Sequence, residues 1–133
     1  MNIATEAKID SILKQILVTN GCSFGKYLSK IEYVNSKNED RSVFFITPIA
    51  TRKLKKVLVI TKIVENNWQD SVKNIKDIIH FLNKHYNLGP KEYRMILHTY
   101  FISINFEQFY GINTESADSI EKLSLSELEK ILD

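Results

Sequence analysis

Apolar side chains near the start of the chain recur as Ile9, Ile12, Leu13, Ile16 and Leu17. The spacing i, i+3, i+4, i+7, i+8 is one stripe on a 3.6-residue period and predicts an amphipathic helix over about residues 3–19. Asn20-Gly21 follows, and glycine just past the last helical residue ends a helix through left-handed backbone. The period then shortens to two. Lys26–Val34 is rich in Tyr, Ile and Val, with Tyr27, Ile31 and Tyr33 on one face, and reads as a strand. The polar run Asn35–Asp40 is a turn, because Asn, Ser and Asp side chains compete for backbone hydrogen bonds. Arg41–Ile49 is a second strand, with Phe44 and Ile46 opposing Val43 and Phe45. Pro48 lacks an N–H and predicts an edge position or a strand end there. Lys55–Glu65 is a third strand, apolar on one face through Val57, Val59 and Ile63 and on the other through Leu58, Ile60 and Val64. Apolar residues on both faces predict a central strand covered on two sides.

Helical spacing returns with Val72, Ile75, Ile79, Leu82 and Tyr86, capped by Asp70 or Ser71 and ended at Asn87-Leu88-Gly89-Pro90. Residues 91–106 fit two templates. Tyr93, Ile96, Leu97, Tyr100, Phe101 and Ile104 match a helical stripe, whereas Ile102, Ile104 and Phe106 alternate with Ser103 and Asn105. A helix over about 90–101 passing into a short strand reconciles them. Near the end, Ser124 with Glu127 forms a capping box and Leu123 with Leu128 a hydrophobic staple. They predict a short helix from Leu125 to about Leu132, with Leu125, Leu128 and Leu132 on one side. The expected fold is α+β: an α-β-β-β-α core with an antiparallel sheet covered by helices, plus the C-terminal helix. Residues 1–112 form one α+β domain, and 113–133 an acidic C-terminal segment.

A chain of 133 residues is long enough to bury a core without disulfides or a structural metal. Its one cysteine, Cys22, leaves no internal disulfide to form and fits a reducing compartment. No basic stretch followed by an apolar one opens the sequence, so no secretory signal is expected. The longest apolar runs, such as Val57–Ile60, fall far short of the roughly 20 residues of a spanning helix. The expectation is a cytoplasmic protein without a membrane partner. The Ile-, Lys- and Asn-rich composition fits an AT-rich source such as a low-GC bacterium, its phage or its plasmids.

The formal charge of +2 divides unevenly: residues 1–112 carry +6 and residues 113–133 carry −4. Such asymmetry marks polyanion contact or a tail that covers a basic face. The strongest polar cluster is Thr51-Arg52-Lys53-Leu54-Lys55-Lys56 on the turn leading into the central strand, with Lys62 further along it. Arg52, Lys53, Lys55, Lys56 and Lys62 are the candidate nucleic-acid contacts, neutralising phosphates without reading bases. The competing expectation is a protein-binding inhibitor or accessory module of phage or mobile-element type, docking Leu125, Leu128 and Leu132 in a groove.

No catalytic residue, metal site or cofactor is assigned. Cys22 with His80, His85 or His98 has no spacing that supports a nucleophile–base pair. Asp77, His80 and Lys84 make a polar helix face, and three histidines with one cysteine lack the spacing of a zinc site. Neither a Gly-rich phosphate loop nor a Gly-x-Ser-x-Gly turn is present. The element order resembles that of double-stranded-RNA-binding domains, but their lysine-rich start to the last helix is here Asn67-Trp68-Gln69-Asp70-Ser71-Val72-Lys73. It also resembles the start of the restriction-endonuclease-like core, which then adds another strand. That family's metal site takes an acid on the second strand and Glu-x-Lys or Asp-x-Lys on the third. Asp40 and Lys62 match two of these positions, but Ile60 replaces the acid two before Lys62, and hard divalent ions require oxygen ligands. Membership of neither family is inferred. A degenerate nuclease-like domain without an intact metal site is the second alternative to the binding-protein expectation.

Overall fold

The computed structural model describes residues 11, 14–15, 21–24, 29–34, 37–38, 41–65, 75–89, 91–112 and 120–133. The helix expected over 3–19 lies outside them except for Ser11, Lys14 and Gln15, which are helical and exposed. The described elements are strands β1 (Ser23–Phe24), β2 (Ser29–Val34), β3 (Arg41–Ala50) and β4 (Lys56–Val64), helix α1 (Ile75–Tyr86), strands β5 (Arg94–Phe101), β6 (Phe106–Ile112) and β7 (Ile120–Lys122), and helix α2 (Leu125–Leu132).

One seven-stranded sheet runs β1-β3-β4-β5-β6-β7, with β2 paired to β3 on the same side as β1. Its pairs are antiparallel except β4–β5, where Val57 to Val64 run parallel to Arg94 to Phe101. The antiparallel sheet expected from sequence is therefore corrected to a mixed one. A parallel pair needs a long crossover, and the segment between β4 and β5 that carries α1 supplies it.

The helix expected over 90–101 is also corrected: Arg94–Phe101 is strand β5, and Met95 through Phe101 are all buried. A strand covered on both faces carries no two-residue alternation, so its apolar positions fit a helical template as well as an extended one. Ile102–Asn105 then turns the chain, with Asn105 in the left-handed region at φ 50 and its N–H bonded to the Ile102 carbonyl. Asn tolerates that conformation better than most residues.

The edge position expected for Pro48 is corrected too, since β3 has neighbours on both sides. Pro48 pairs with Leu58 of β4 and lies two residues before the end of β3 at Ala50, the strand-end position that its missing N–H also predicts.

Two apolar layers sandwich the sheet. On one face α1 lays Ile75, Ile78, Ile79 and Leu82 over Phe44, Ile46, Leu58, Ile60, Met95 and Leu97. Tyr86, expected on that buried side, is exposed at the helix end. On the other face α2 lays Leu128 and Leu132 over Phe45, Ile49, Val57, Val59 and Ile96, beside Cys22. Among the described residues no helix is long and apolar enough to cross a membrane.

Candidate nucleic-acid interface

The hairpin joining β3 to β4 is closed by its own threonine. The Thr51 N–H donates to the Lys55 carbonyl at 2.9 Å, the Leu54 N–H to the Thr51 carbonyl at 2.9 Å, and the Lys55 N–H to Thr51 Oγ1 at 3.1 Å. Thr51 is buried, so these bonds anchor the turn from beneath while Arg52, Lys53, Leu54, Lys55 and Lys56 face solvent. Leu54 stands at the tip with a φ of 61, a conformation that leucine rarely adopts, and is 84% exposed. Gly21 lies alongside at φ 73, with the Arg52 guanidinium so close that a Cβ there would meet it at 2.6 Å. Both its backbone and its missing side chain make room for Arg52.

Parallel pairing brings further cations to the same place. Because β4 and β5 run in one direction, the turn before β4 and residues Lys91–Tyr93 before β5 open at the same end of the sheet. Lys91 and Arg94 are exposed there, and the Lys56 ammonium sits 5.9 Å from the centroid of the half-buried Tyr93 ring. The Arg94 guanidinium lies over Gly111 beside Leu123, in space that a side chain at 111 would take. Sequence reasoning missed Lys91 and Arg94. The available signal was Arg94 standing before the apolar run Met95-Ile96-Leu97, as Lys55-Lys56 stand before Val57–Ile60. Lys62 does not join them. It lies six residues along β4 from Lys56, roughly 20 Å at 3.3 Å per residue, buried with its ammonium 5.7 Å from the Phe44 ring centroid.

The C-terminal helix closes on this end of the sheet. Its start is as expected: Ser124 Oγ accepts from the Glu127 N–H at 3.2 Å and Glu127 Oε1 accepts from the Ser124 N–H at 3.2 Å. Hydrogen bonding of the Ser124 hydroxyl, and then of the Ser124 N–H, to the Glu127 carboxyl holds it below its ordinary range. Its far end meets the basic turn. Lys53 Nζ lies 2.8 Å from Asp133 Oδ2, the Lys53 N–H donates to the Asp133 main-chain oxygen at 3.2 Å, and Lys55 Nζ donates to the Lys130 carbonyl at 3.2 Å. Cations suit this position because the last carbonyls of a helix lack intrahelical partners. Of the three leucines taken as groove anchors, Leu128 (3% exposed) and Leu132 (1%) lie in the chain's own core, and Leu125 (72%) stays outside.

The chain matches no protein-family model, no curated protein and no solved structure. Its chemistry is therefore read from its own residues.

The α2 side of the sheet holds a polar line across three strands. His98 on β5 bonds Thr61 Oγ1 on β4 through Nδ1 at 3.1 Å and Glu107 Oε2 on β6 through Nε2 at 2.7 Å, and its ring stacks on Phe109 at 4.5 Å. Threonine, histidine and carboxylate are the groups of a nucleophilic relay, but Thr61 and His98 have no exposed surface, so the hydroxyl meets no substrate in this conformation. What the line does is satisfy buried polar groups between neighbouring strands.

Cys22 is buried on the same face, its Sγ donating to the Leu132 carbonyl at 3.1 Å, while His80 and His85 stand exposed on α1 across the sheet. Burial first pushes the Cys22 thiol up, and Asp133 adds to this against the opposing pull of Arg52 and Lys55. Among the described residues no three His, Cys, Asp or Glu side chains gather as a metal site. Asp40 lies outside the described residues, and Ile60, at the position of the nuclease acid, is fully buried beneath α1.

At the opposite end of the sheet, where β4 and β5 finish, large apolar side chains reach the surface. Ile102 and Ile104 on the β5–β6 turn and Phe106 just after it are all exposed. The Ser103 hydroxyl and N–H both reach the Glu65 carbonyl, at 2.7 and 3.4 Å, and tie that turn to the end of β4.

Proposed function

We propose that this chain is a non-enzymatic binding protein that contacts the phosphate backbone of nucleic acid through the basic end of its sheet. One observation carries the reading: Arg52, Lys53, Lys55, Lys56, Lys91 and Arg94 all stand exposed at the end where β4 and β5 begin. Lysine and arginine heads at that spacing neutralise consecutive phosphates, with Tyr93 beside Lys56 offering a partial ring face. No base-reading element belongs to the proposal, so binding is weakly sequence-dependent and strongly salt-dependent.

Fluorescence anisotropy with labelled duplex and single-stranded oligonucleotides tests it. On duplex, four to six neutralised phosphates give a slope of log affinity against log salt between roughly −3.5 and −5.5. Lys56→Glu with Arg94→Glu should lower affinity more than tenfold, whereas Arg41→Glu at the far end, beside Glu32, should change it little. A flat salt response, or equal losses from both ends, defeats the reading. A protein partner is then the better proposal, and the exposed Ile102 and Ile104 favour it as the contact.

A further inference from the structure

We infer that the Asp133 carboxylate is a resident occupant of an oxyanion site formed by Arg52, Lys53 and Lys55, and that a phosphate group displaces it. Polyanion binding and release of the Asp133 side chain from Lys53 are then coupled. The regulatory part rests on the nucleic-acid reading above; the anion site rests on the contacts of Lys53 and Lys55 with the end of α2.

The carboxylate marks where an anion sits. Lys53 holds Asp133 twice, by Nζ to Oδ2 at 2.8 Å and by its N–H to the main-chain oxygen at 3.2 Å. Lys55 Nζ lies against the neighbouring Lys130 carbonyl, and Arg52 stands over Gly21 on the same turn. Asp133 is held below the ordinary carboxylate range chiefly by its bond to Lys53 and that charge, with smaller contributions from the charges of Arg52 and Lys55. Among the described residues the carboxylate contacts Lys53 directly, whereas a phosphate has more charge and more acceptor oxygens to share among three cations. Exchange is cheap, because an ion pair this exposed contributes little to stability. It is also local. Leu128 and Leu132 remain buried in the core, so only the Asp133 side chain needs to swing away.

The full chain and its Asp133→Asn variant, each checked by a melting curve, are compared by anisotropy on one duplex across a salt series. Freeing one lysine for one more phosphate should steepen the slope by roughly 0.9 and tighten binding roughly five- to tenfold near 0.1 M salt. If the wild type binds and the variant matches it in slope and affinity, the displacement is wrong while the nucleic-acid reading stands. If neither binds at low salt, the nucleic-acid reading falls together with its coupling, and inorganic phosphate becomes the probe of the anion site. In an amide NMR titration, shifts centred on residues 52–55 and 130–133, saturating at lower phosphate in Asp133→Asn, support a site for free phosphate. Absence of such shifts in both proteins overturns the site.

Discussion

The two helices cover opposite faces of one sheet but do different things. Helix α1 is twelve residues long and commits four of them, Ile75, Ile78, Ile79 and Leu82, to an apolar layer. Helix α2 is eight residues long, commits only Leu128 and Leu132, and adds a capping box at one end and a charged contact with the basic turn at the other. The sheet beneath them differs in kind as well. The α1 face is apolar directly beneath its helix, through Phe44, Ile46, Leu58, Ile60, Met95 and Leu97, whereas the α2 face carries the Thr61–His98–Glu107 line. A broad apolar contact holds an element through all its fluctuations, while a short helix joined by two leucines and solvated polar contacts can loosen locally. The first builds the fold, and the second conditions the surface beside it.

Truncating the α1 layer should have the largest effect. Leu82→Ala or Ile78→Ala is expected to cost about 2–5 kcal/mol, read by urea unfolding, since each side chain is fully buried. Leu132→Ala under α2 should fall near the low end, about 2 kcal/mol, because a short helix can close into the space left behind. Equal losses from the two helices would break the contrast between them.

The sheet faces can be compared with two near-isosteric substitutions. Thr61→Val strips His98 Nδ1 of its buried partner and should cost about 1–3 kcal/mol. On the α1 face, the Thr99 hydroxyl is buried with no hydrogen-bond partner among the described residues. Thr99→Val should therefore be neutral or stabilising by thermal melting. A large loss at Thr99 would mean that its hydroxyl has a partner after all.

Ser124→Ala removes the N-cap and should cost about 1 kcal/mol, seen as a lower melting point with the sheet intact. The smallest effect concerns pH. The Glu127 carboxyl is lowered by Ser124 once the cap of α2 has formed, and that of Asp133 by Lys53 once the helix is docked on the turn. A lowered folded-state value means that the stabilisation is present above the ordinary carboxylate range and fades as pH falls through the lowered value. Amide shifts of residues 124–133 should thus move at acid pH before those of α1. Simultaneous movement of both helices would show that α2 has no independent freedom.

Much of the scaffold was legible because it depends on local spacing. The two-sided apolar pattern of Val57–Val64 marked a central strand, and Ser124 with Glu127 marked the start of α2 almost to the residue. The cations of the turn were visible as a run, since residues adjacent in sequence need no fold to be adjacent in space. The buried line through Thr61, His98 and Glu107 left no such trace, because its members stand 37 and 9 residues apart.

The amino-acid sequence by itself determined which stretches are apolar on one face or two, where α2 begins, and which turn carries the charge. These follow from side-chain periodicity, capping chemistry and turn preferences acting over a few residues. Only the tertiary structure decided that Arg94–Phe101 is a strand and that it lies parallel to β4. Such pairing is a choice between long-range partners, driven by burial that exists only once both helices cover the sheet. The same choice brought Lys91 and Arg94 beside the turn, and the docking of α2 set Asp133 against Lys53.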